Sequence, residues 1–365
     1  MQQTHRRLNQ RGMVSFMVTM IMMLVISLIV IGFAKVTQRN SREALDRQLS
    51  TQAFYAAESG INHTQATIVA ALSSTPNLAA KSTCAGGDYS ATSGSTGAIS
   101  PLGSGVKYTC VLVNPTPPDI ILNASQTTPL TTPLNVTNPG GADSFTFTWS
   151  MEKGGTLPDC RIAGSYQTAT TFPTASAWPC SFGVMHVDLI QDPAGALGKT
   201  GSQSDNLAAS TISVFLTPLG NHFGTVSVAY PSGGTSPTTY VVSGACKPTC
   251  TNPTSYSATV NVPSGISSYF ARVSSRYHDG AIDITSQTAG VSNNFTGGEA
   301  VLDVTGQAQD VLRRIQVRMP LTGSSGLNQI PLDALTSSTS ICKRFTIVPP
   351  AGSASSDTSN PLCST

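Results

Sequence analysis

Residues 13–34 form a run of 22 positions with no charge and no proline. At 1.5 Å per residue a helix of that length spans roughly 33 Å, enough to cross a bilayer core. The apolar stretch of a secretory signal peptide is shorter, about 7 to 15 residues. Gly32-Phe33-Ala34 loosely fits a small-x-small cleavage site, so a cleaved signal stays open as an alternative, beside a plain membrane anchor.

The helical pattern does not stop with the apolar run. From 35 to 72 there is no proline, and Gly60 is the one interruption among helix formers. Arg39–Glu43, Glu43–Arg47 and Arg42–Asp46 are pairs of opposite charge at i,i+4 spacing, neighbours on one helix surface. Leu45, Leu49, Ala53, Ala56, Ala57, Gly60, Ile61, Ile68 and Leu72 recur at three- and four-residue steps, which makes an apolar stripe. Pro76 closes the pattern. The expectation is one helix of about 60 residues, roughly 90 Å long. Its first half suits lipid or other apolar helices, and its second half suits a globular domain laid along one face.

A short basic leader with Arg6, Arg7 and Arg11 ends in Gly12, and the apolar run starts directly after it. With the amphipathic extension this resembles a type IV prepilin. The stretch "RNSREALDRQLSTQAFYAAESGINHTQA" is similar to the minor pilins of the PilX type and to the related large minor pseudopilin of type II secretion. Within it stands Ala53-Phe54-Tyr55-Ala56-Ala57-Glu58-Ser59-Gly60. The likeness covers about the first 70 residues well and the rest weakly.

The resemblance implies cleavage by a prepilin peptidase after Gly12, with Met13 as a new, N-methylated terminus. Glycine before the cut leaves no side chain to obstruct close backbone approach. The basic leader is expected in the cytoplasm by the positive-inside rule. Everything after Ala34 is then outside, first in the inner (cytoplasmic) membrane as a single-pass protein and later on an extracellular pilus. Met17 and Glu58 are the positions assigned to subunit packing. Major pilins carry a glutamate at the fifth mature position; this chain has Met17 there and no acid from 13 to 34. A buried carboxylate needs a partner, and in a pilus core the neighbouring subunit's terminal ammonium supplies it. A subunit without the acid fits best at the tip, where nothing is ahead of it. The alternative is that Met17 simply packs well and the charge is handled otherwise.

Past residue 77 the pattern becomes short alternating or β-branched runs separated by turn residues. Strands are expected at 106–113, 120–122, 134–137, 144–149, 184–190, 211–216, 225–229, 239–242, 256–262, 269–275, 281–284, 300–304 and 314–318. Such a series suggests a sandwich or a curled antiparallel sheet. The stretch 297–321 reads as a hairpin with a Gly306-centred turn region, of the kind that packs on the C-terminal half of a pilin helix, and 108–113 is its candidate partner strand. The segment between is too long for an ordinary loop. The fold class is therefore α+β: a long N-terminal pilin-like helix, transmembrane in its first half, packed on an antiparallel β domain with a large β-sandwich-like insertion. The expected division is 1–12 leader, 13–76 helix, 77–114 first pilin-like β region, 115–287 inserted domain, and 288–365 C-terminal hairpin and disulfide loop.

Eight cysteines, Cys84, Cys110, Cys160, Cys180, Cys246, Cys250, Cys342 and Cys363, all follow the apolar run. An even number on one side of a membrane segment points to disulfides in an oxidising compartment. Sequential pairing is the reading taken, because each successive pair brackets a Gly/Pro/Ser/Thr-rich stretch; buried free thiols are the alternative. Pilins commonly close a C-terminal loop this way, and a 342–363 bridge would do it.

No catalytic constellation stands out. Only 10% of residues are charged and the net charge is +2, much of it in the leader. No basic stripe is left for nucleic acid. Cys246 and Cys250 flank a proline but lack the second pair a zinc site wants, so no metal and no cofactor is expected. His186 and Asp188 share a strand face and read as surface decoration. Asp279 and Asp283 are weak calcium candidates, usually just solvated. Phe145, Phe147 and Trp149 alternate onto one strand face as core, and the loop at Trp178 could be exposed for contact. The function this implies is a non-enzymatic minor pilin-like subunit taking part in pilus assembly, at or near the tip. Its partners are the membrane, the prepilin peptidase, other pilins and minor pilins, and a host or neighbouring-cell surface. The alternative is a membrane-anchored surface adhesin that does not polymerise.

Overall fold

The structure, a computed structural model, describes residues 10–72, 77–99, 101–151, 178, 180, 182–192, 210–220, 224–230, 238–248, 253–321, 346–347 and 355–356. It opens with one uninterrupted helix, α1 (Gln10–Ala71), of 62 residues. The strands follow in chain order: β1 (Val106–Asn114), β2 (Asp119–Ala124), β3 (Leu130–Pro133), β4 (Asn135–Val136), β5 (Ser144–Met151) and β6 (Val184–Gln191). Next come β7 (Thr211–Gly220), β8 (Thr225–Ser227), β9 (Thr238–Lys247), β10 (Ser255–Asn261), β11 (Tyr269–Arg276) and β12 (Gly280–Thr288). The series ends with β13 (Val291–Ser292), β14 (Phe295–Thr296), β15 (Glu299–Ala308), β16 (Val311–Pro320), β17 (Thr346–Ile347) and β18 (Ser355–Ser356). Among the described residues no second helix occurs. The fold is α+β.

The chain divides into two compact units. The first comprises Met1–Ile120, Leu134–Pro139 and Ile284–Gly323; the second comprises Ile121–Pro133, Gly140–Asp283 and Ser324–Thr365.

In the first unit α1 lies along an antiparallel sheet of order β1-β15-β16. Val304 pairs with Val111 on one side and Ile315 on the other. Period-two alternation therefore puts all three on one face, toward Ala57, Ile61 and Ile68 of the helix. The hairpin runs as expected in sequence, but its turn is not at Gly306. That glycine sits inside β15, opposite Tyr108 and Arg313, and the reversal falls at Gln309-Asp310, where Gln309 takes φ 55°. Gly306 is needed where the helix crosses the strand, not where the chain turns. Residues 77–99 fold over the far side of β1, bridged by Lys81↔Val113 and by a Cys84–Cys110 disulfide.

The second unit is built on a large sheet in which β5-β10-β9-β7-β6-β11-β3 are successive neighbours and β8 also pairs β10. Most pairs are antiparallel; β7 runs parallel to β9, and β8 to β10. A parallel pair needs a crossover of about a dozen residues or more, and residues 221–237 between β7 and β9 meet that length. Phe145, Phe147 and Trp149 of β5 are fully buried, as their alternation predicts. Strand β6 is buried at nearly every position, the mark of a central strand covered on both faces.

Candidate assembly interface

The helix presents two different surfaces along its length. From Phe16 to Phe33 the apolar side chains are exposed; Met17 is 67% exposed. This is one helix long and apolar enough to cross a membrane, and none of its apolar window is buried against the protein itself. Uncovered apolar area on this scale requires lipid or other apolar helices. Gly12 and Met13 lie within the helical span of α1.

From residue 53 the helix changes character. Ala53, Ala56, Ala57, Gly60, Ile61, Thr64 and Ile68 are buried. The small residues explain the Ala-x-x-Ala-Ala-x-x-Gly spacing physically. A β-carbon on Gly306 would stand 2.1 Å from the Ala53 carbonyl oxygen and 2.4 Å from the Ala57 nitrogen. One on Gly60 would meet Val304 Cγ1 at 2.7 Å and Tyr108 Cγ at 2.8 Å. At Gly306 helix and strand backbones thus touch directly, and at Gly60 the helix backbone meets the Val304 and Tyr108 side chains. Thr64 completes this seam, its hydroxyl turned back to donate to the Gly60 carbonyl at 2.8 Å.

Leu45, placed on the buried stripe from sequence, is 57% exposed; it precedes Ser50, which already receives a hydrogen bond from Arg313 of β16 at 2.8 Å. On the opposite side of the seam Phe54, Tyr55 and Glu58 face outward. The two rings meet edge to face at 5.9 Å. Of the ladder of helix charges, Arg39–Glu43 closes at 3.5 Å.

The 77–99 segment is clasped to the helix by a polar cluster that sequence did not reveal. His63 Nδ1 lies 2.9 Å from Asp88 Oδ2 and 3.0 Å from the Tyr108 oxygen; the Tyr108 hydroxyl donates to Asp88 Oδ2 at 2.9 Å. Burial, with the Asp88 carboxylate beside it, pushes the Tyr108 hydroxyl up. Lys81 is buried and donates to the Gly87 and Val111 carbonyls, both at 2.9 Å. Its pKa is lowered by desolvation, against the pull of Asp88. On the outer face of the sheet Arg318 reaches Glu299 and Asp119, and Arg314 reaches Asp303.

Other expected residues scatter. Cys246 is disulfide-bonded. Cys180 is buried, while Cys160, Cys250, Cys342 and Cys363 lie outside the described residues. His186 and Asp188 are not surface decoration. Asp188 is buried in the second unit, 3.1 Å from His186 Nε2, and accepts from Arg272 Nη2 at 2.7 Å and from Ser213. Burial opposes its ionisation, but His186, Ser213 and Arg272 outweigh that and hold its carboxyl at about 2. Both oxygens are engaged by strands that meet only in the sheet, so no local signal could have shown it. Trp178 is buried rather than exposed. Among the described residues no group of three His, Cys, Asp or Glu could hold a metal.

An exposed apolar helix that continues without a break into a helix packed on an antiparallel sheet fits a pilin-like subunit. Residues 11–62 match the family model of the PilX N-terminal segment. The chain thus carries a PilX-type pilin N-terminus, and the match lies within the helix and reaches none of the β region. No curated protein and no solved structure matches the chain significantly.

Proposed function

We propose that this chain is a minor pilin that enters the cytoplasmic membrane by the first half of α1, is cut after Gly12, and takes part in building a type IV pilus. The observation that carries the reading is the continuity of α1. One rigid rod links a fully exposed apolar half to a half fixed on its own sheet by a close seam of small residues. Such a rod leaves the bilayer only by bundling with similar rods, and the wholly exposed apolar surface supplies the contact area. Phe54, Tyr55 and Glu58 extend that contact along the outward side of the helix, and Met17 lies inside it. Methylation of Met13 follows from the same processing step.

Charge alone does not orient the helix. Arg6, Arg7 and Arg11 precede it, but Lys35, Arg39, Arg42 and Arg47 follow within one short stretch. The Cys84–Cys110 disulfide favours the oxidising side for everything after Ala34, with the leader in the cytoplasm. The 115–287 segment is then an inserted domain carried outside, suited to contact with other minor pilins or with a host or neighbouring-cell surface. The absence of an acid at Met17 supports a position at or near the tip.

Mass spectrometry of the protein from cells with an active prepilin peptidase tests this. The expected N-terminus is methylated Met13, and Gly12→Ala should block both processing and filament incorporation. An intact Met1, or a start near Lys35, would instead mean an anchor or a secreted protein that never polymerises.

A further inference from the structure

Strand β16 is the outer strand of the sheet packed on α1, and its far edge is bare. It runs for 10 residues beside β15 without a bulge. The direction of its backbone groups is fixed from the other side of the sheet. Val113 of β1 exchanges both backbone bonds with Lys81, each at 2.9 Å, so Leu112 and Asn114 are the residues that bond to β15. Their partners there are Asp303 and Val301, which leaves Leu302 and Val304 to bond to Val317 and Ile315. The amides and carbonyls of Leu312, Arg314, Gln316 and Arg318 therefore point away from the sheet. Among the described residues none of these backbone groups has a partner.

Other outer strands are guarded. β1, the opposite edge of the same sheet, is bridged by Lys81 and crosslinked through Cys84–Cys110. The large sheet of the second unit ends in β13, of 2 residues, and in β3, of 4 with Pro133 among them. Shortness and proline keep an edge from pairing; β16 has neither before Pro320. Charged side chains also guard edges, but here they are drawn back. Arg314 Nε donates to Asp303 Oδ1 at 2.6 Å, and Arg318 Nη1 to Glu299 Oε1 at 2.5 Å. Both acids stand on β15, on the side away from the bare edge.

We propose that this edge docks an extended segment of another protein, which joins the sheet as an added strand and alternates apolar with acidic residues. In such a pairing main-chain bonds give affinity and alternate side chains give specificity. On the helix side the segment would lie beside Ile315 and Val317, half-buried against the core, where apolar side chains extend the same row. On the outer side it would lie beside Arg314, 66% exposed, whose Nη1 is left over after Asp303 has taken Nε and Nη2. Arg313 donates to the Ser50 hydroxyl and meets no carboxylate among the described residues. A second copy of β16 fits less well. Its sequence, VLRRIQVRMP, brings Arg313, Arg314 and Arg318 and no acid, and like charges across a strand pair destabilise it. The edge does not depend on processing at Gly12, so a chain that never assembles would still bind.

The test uses the detergent-solubilised full-length protein and labelled synthetic peptides as long as β16, read by fluorescence polarisation and by amide exchange. The peptide of alternating valine and glutamate should bind at least about tenfold more tightly than one of alternating valine and lysine, or than one with the β16 sequence. On binding, the amides of Leu312, Arg314, Gln316 and Arg318 should slow, while those of Arg313, Ile315 and Val317, already bonded to β15, should not. Gln316→Pro removes one outward amide and no inward bond; proline is tolerated at that kind of edge position. It should weaken the valine–glutamate peptide by about tenfold at an unchanged melting temperature. Arg314→Glu should turn the preference toward the valine–lysine peptide. No binding of the valine–glutamate peptide, equal binding of the two alternating peptides, protection without the alternation, or native-like binding by Gln316→Pro would each overturn the proposal. Tightest binding of the β16 peptide would overturn it in favour of a second copy.

Discussion

Gly306 and Ala53 approach so closely that a β-carbon on the glycine would stand 2.1 Å from the alanine's carbonyl oxygen. The contact is backbone on backbone, so no rotamer change can relieve it. Gly306→Ala must push β15 away from α1 along the whole seam, or bend the strand. The expected cost is on the order of 3 kcal/mol, at the upper end for overpacking, seen as a fall in the denaturant midpoint. Gly60→Ala should cost less, since its obstacles, Val304 and Tyr108, are side chains and alanine regains about 1 kcal/mol of helix propensity.

The Cys84–Cys110 bond closes a loop of sequence separation 26. The chain-entropy account assigns such a loop about 3.5 kcal/mol. The same segment is also held by Asp88 on His63 and Tyr108, so reduction should loosen it without melting α1 from its sheet. A Cys84→Ser, Cys110→Ser variant is expected to keep its far-ultraviolet circular dichroism while amides of 77–99 exchange faster. Equal loss of protection throughout the first unit would show that the bridge supports the whole sheet.

Much of this architecture was legible locally. The uncharged run of 13–34 and the proline-free continuation required one helix, and α1 is that helix. Alternation at Phe145, Phe147 and Trp149 put these side chains in a core, where they are. What escaped was whatever depends on partners far along the chain. Gly306 looks like a turn residue because turns are the usual reason for glycine between alternating strands; its actual reason, the passage of Ala53 and Ala57, lies some 250 residues earlier. The parallel β7–β9 pair has the same composition as an antiparallel one. His186 and Asp188 showed their shared face, but not Arg272 and Ser213 on the two adjoining strands, which turn that face into a buried polar centre.

That centre is expected to make the second unit acid-sensitive. The Asp188 carboxyl is held at about 2 in the folded protein against an ordinary value of 3.8. A folded pKa below the unfolded one contributes stability that is complete above the unfolded value and disappears as pH falls through the folded value. The window is therefore about pH 4 to 2, and the contribution is on the order of 2 kcal/mol. Asp188→Asn should flatten the decline of stability across that window. It should also lower stability at pH 7, because Arg272 is left partly buried without its anion. A variant with the native pH profile would place the acid response elsewhere.

Met17 offers the most direct handle on position in a filament. A glutamate there would sit in the apolar half of α1, where an unpaired acid is costly. In an assembled core that cost is offset only if a neighbouring terminal ammonium comes within ion-pair distance. The native side chain cannot form that pair, and under the proposed function this confines the subunit to a place with nothing ahead of it. Met17→Glu removes the restriction. The expected outcome is a severalfold rise in the ratio of this subunit to the major pilin in sheared filaments, with immunogold label spread along the shaft instead of confined to one end. Membrane insertion and the mature N-terminus at Met13 should be unaffected, which separates an assembly effect from an export defect. An unchanged ratio and label position, with normal processing, would show that something other than the missing carboxylate decides where the subunit goes.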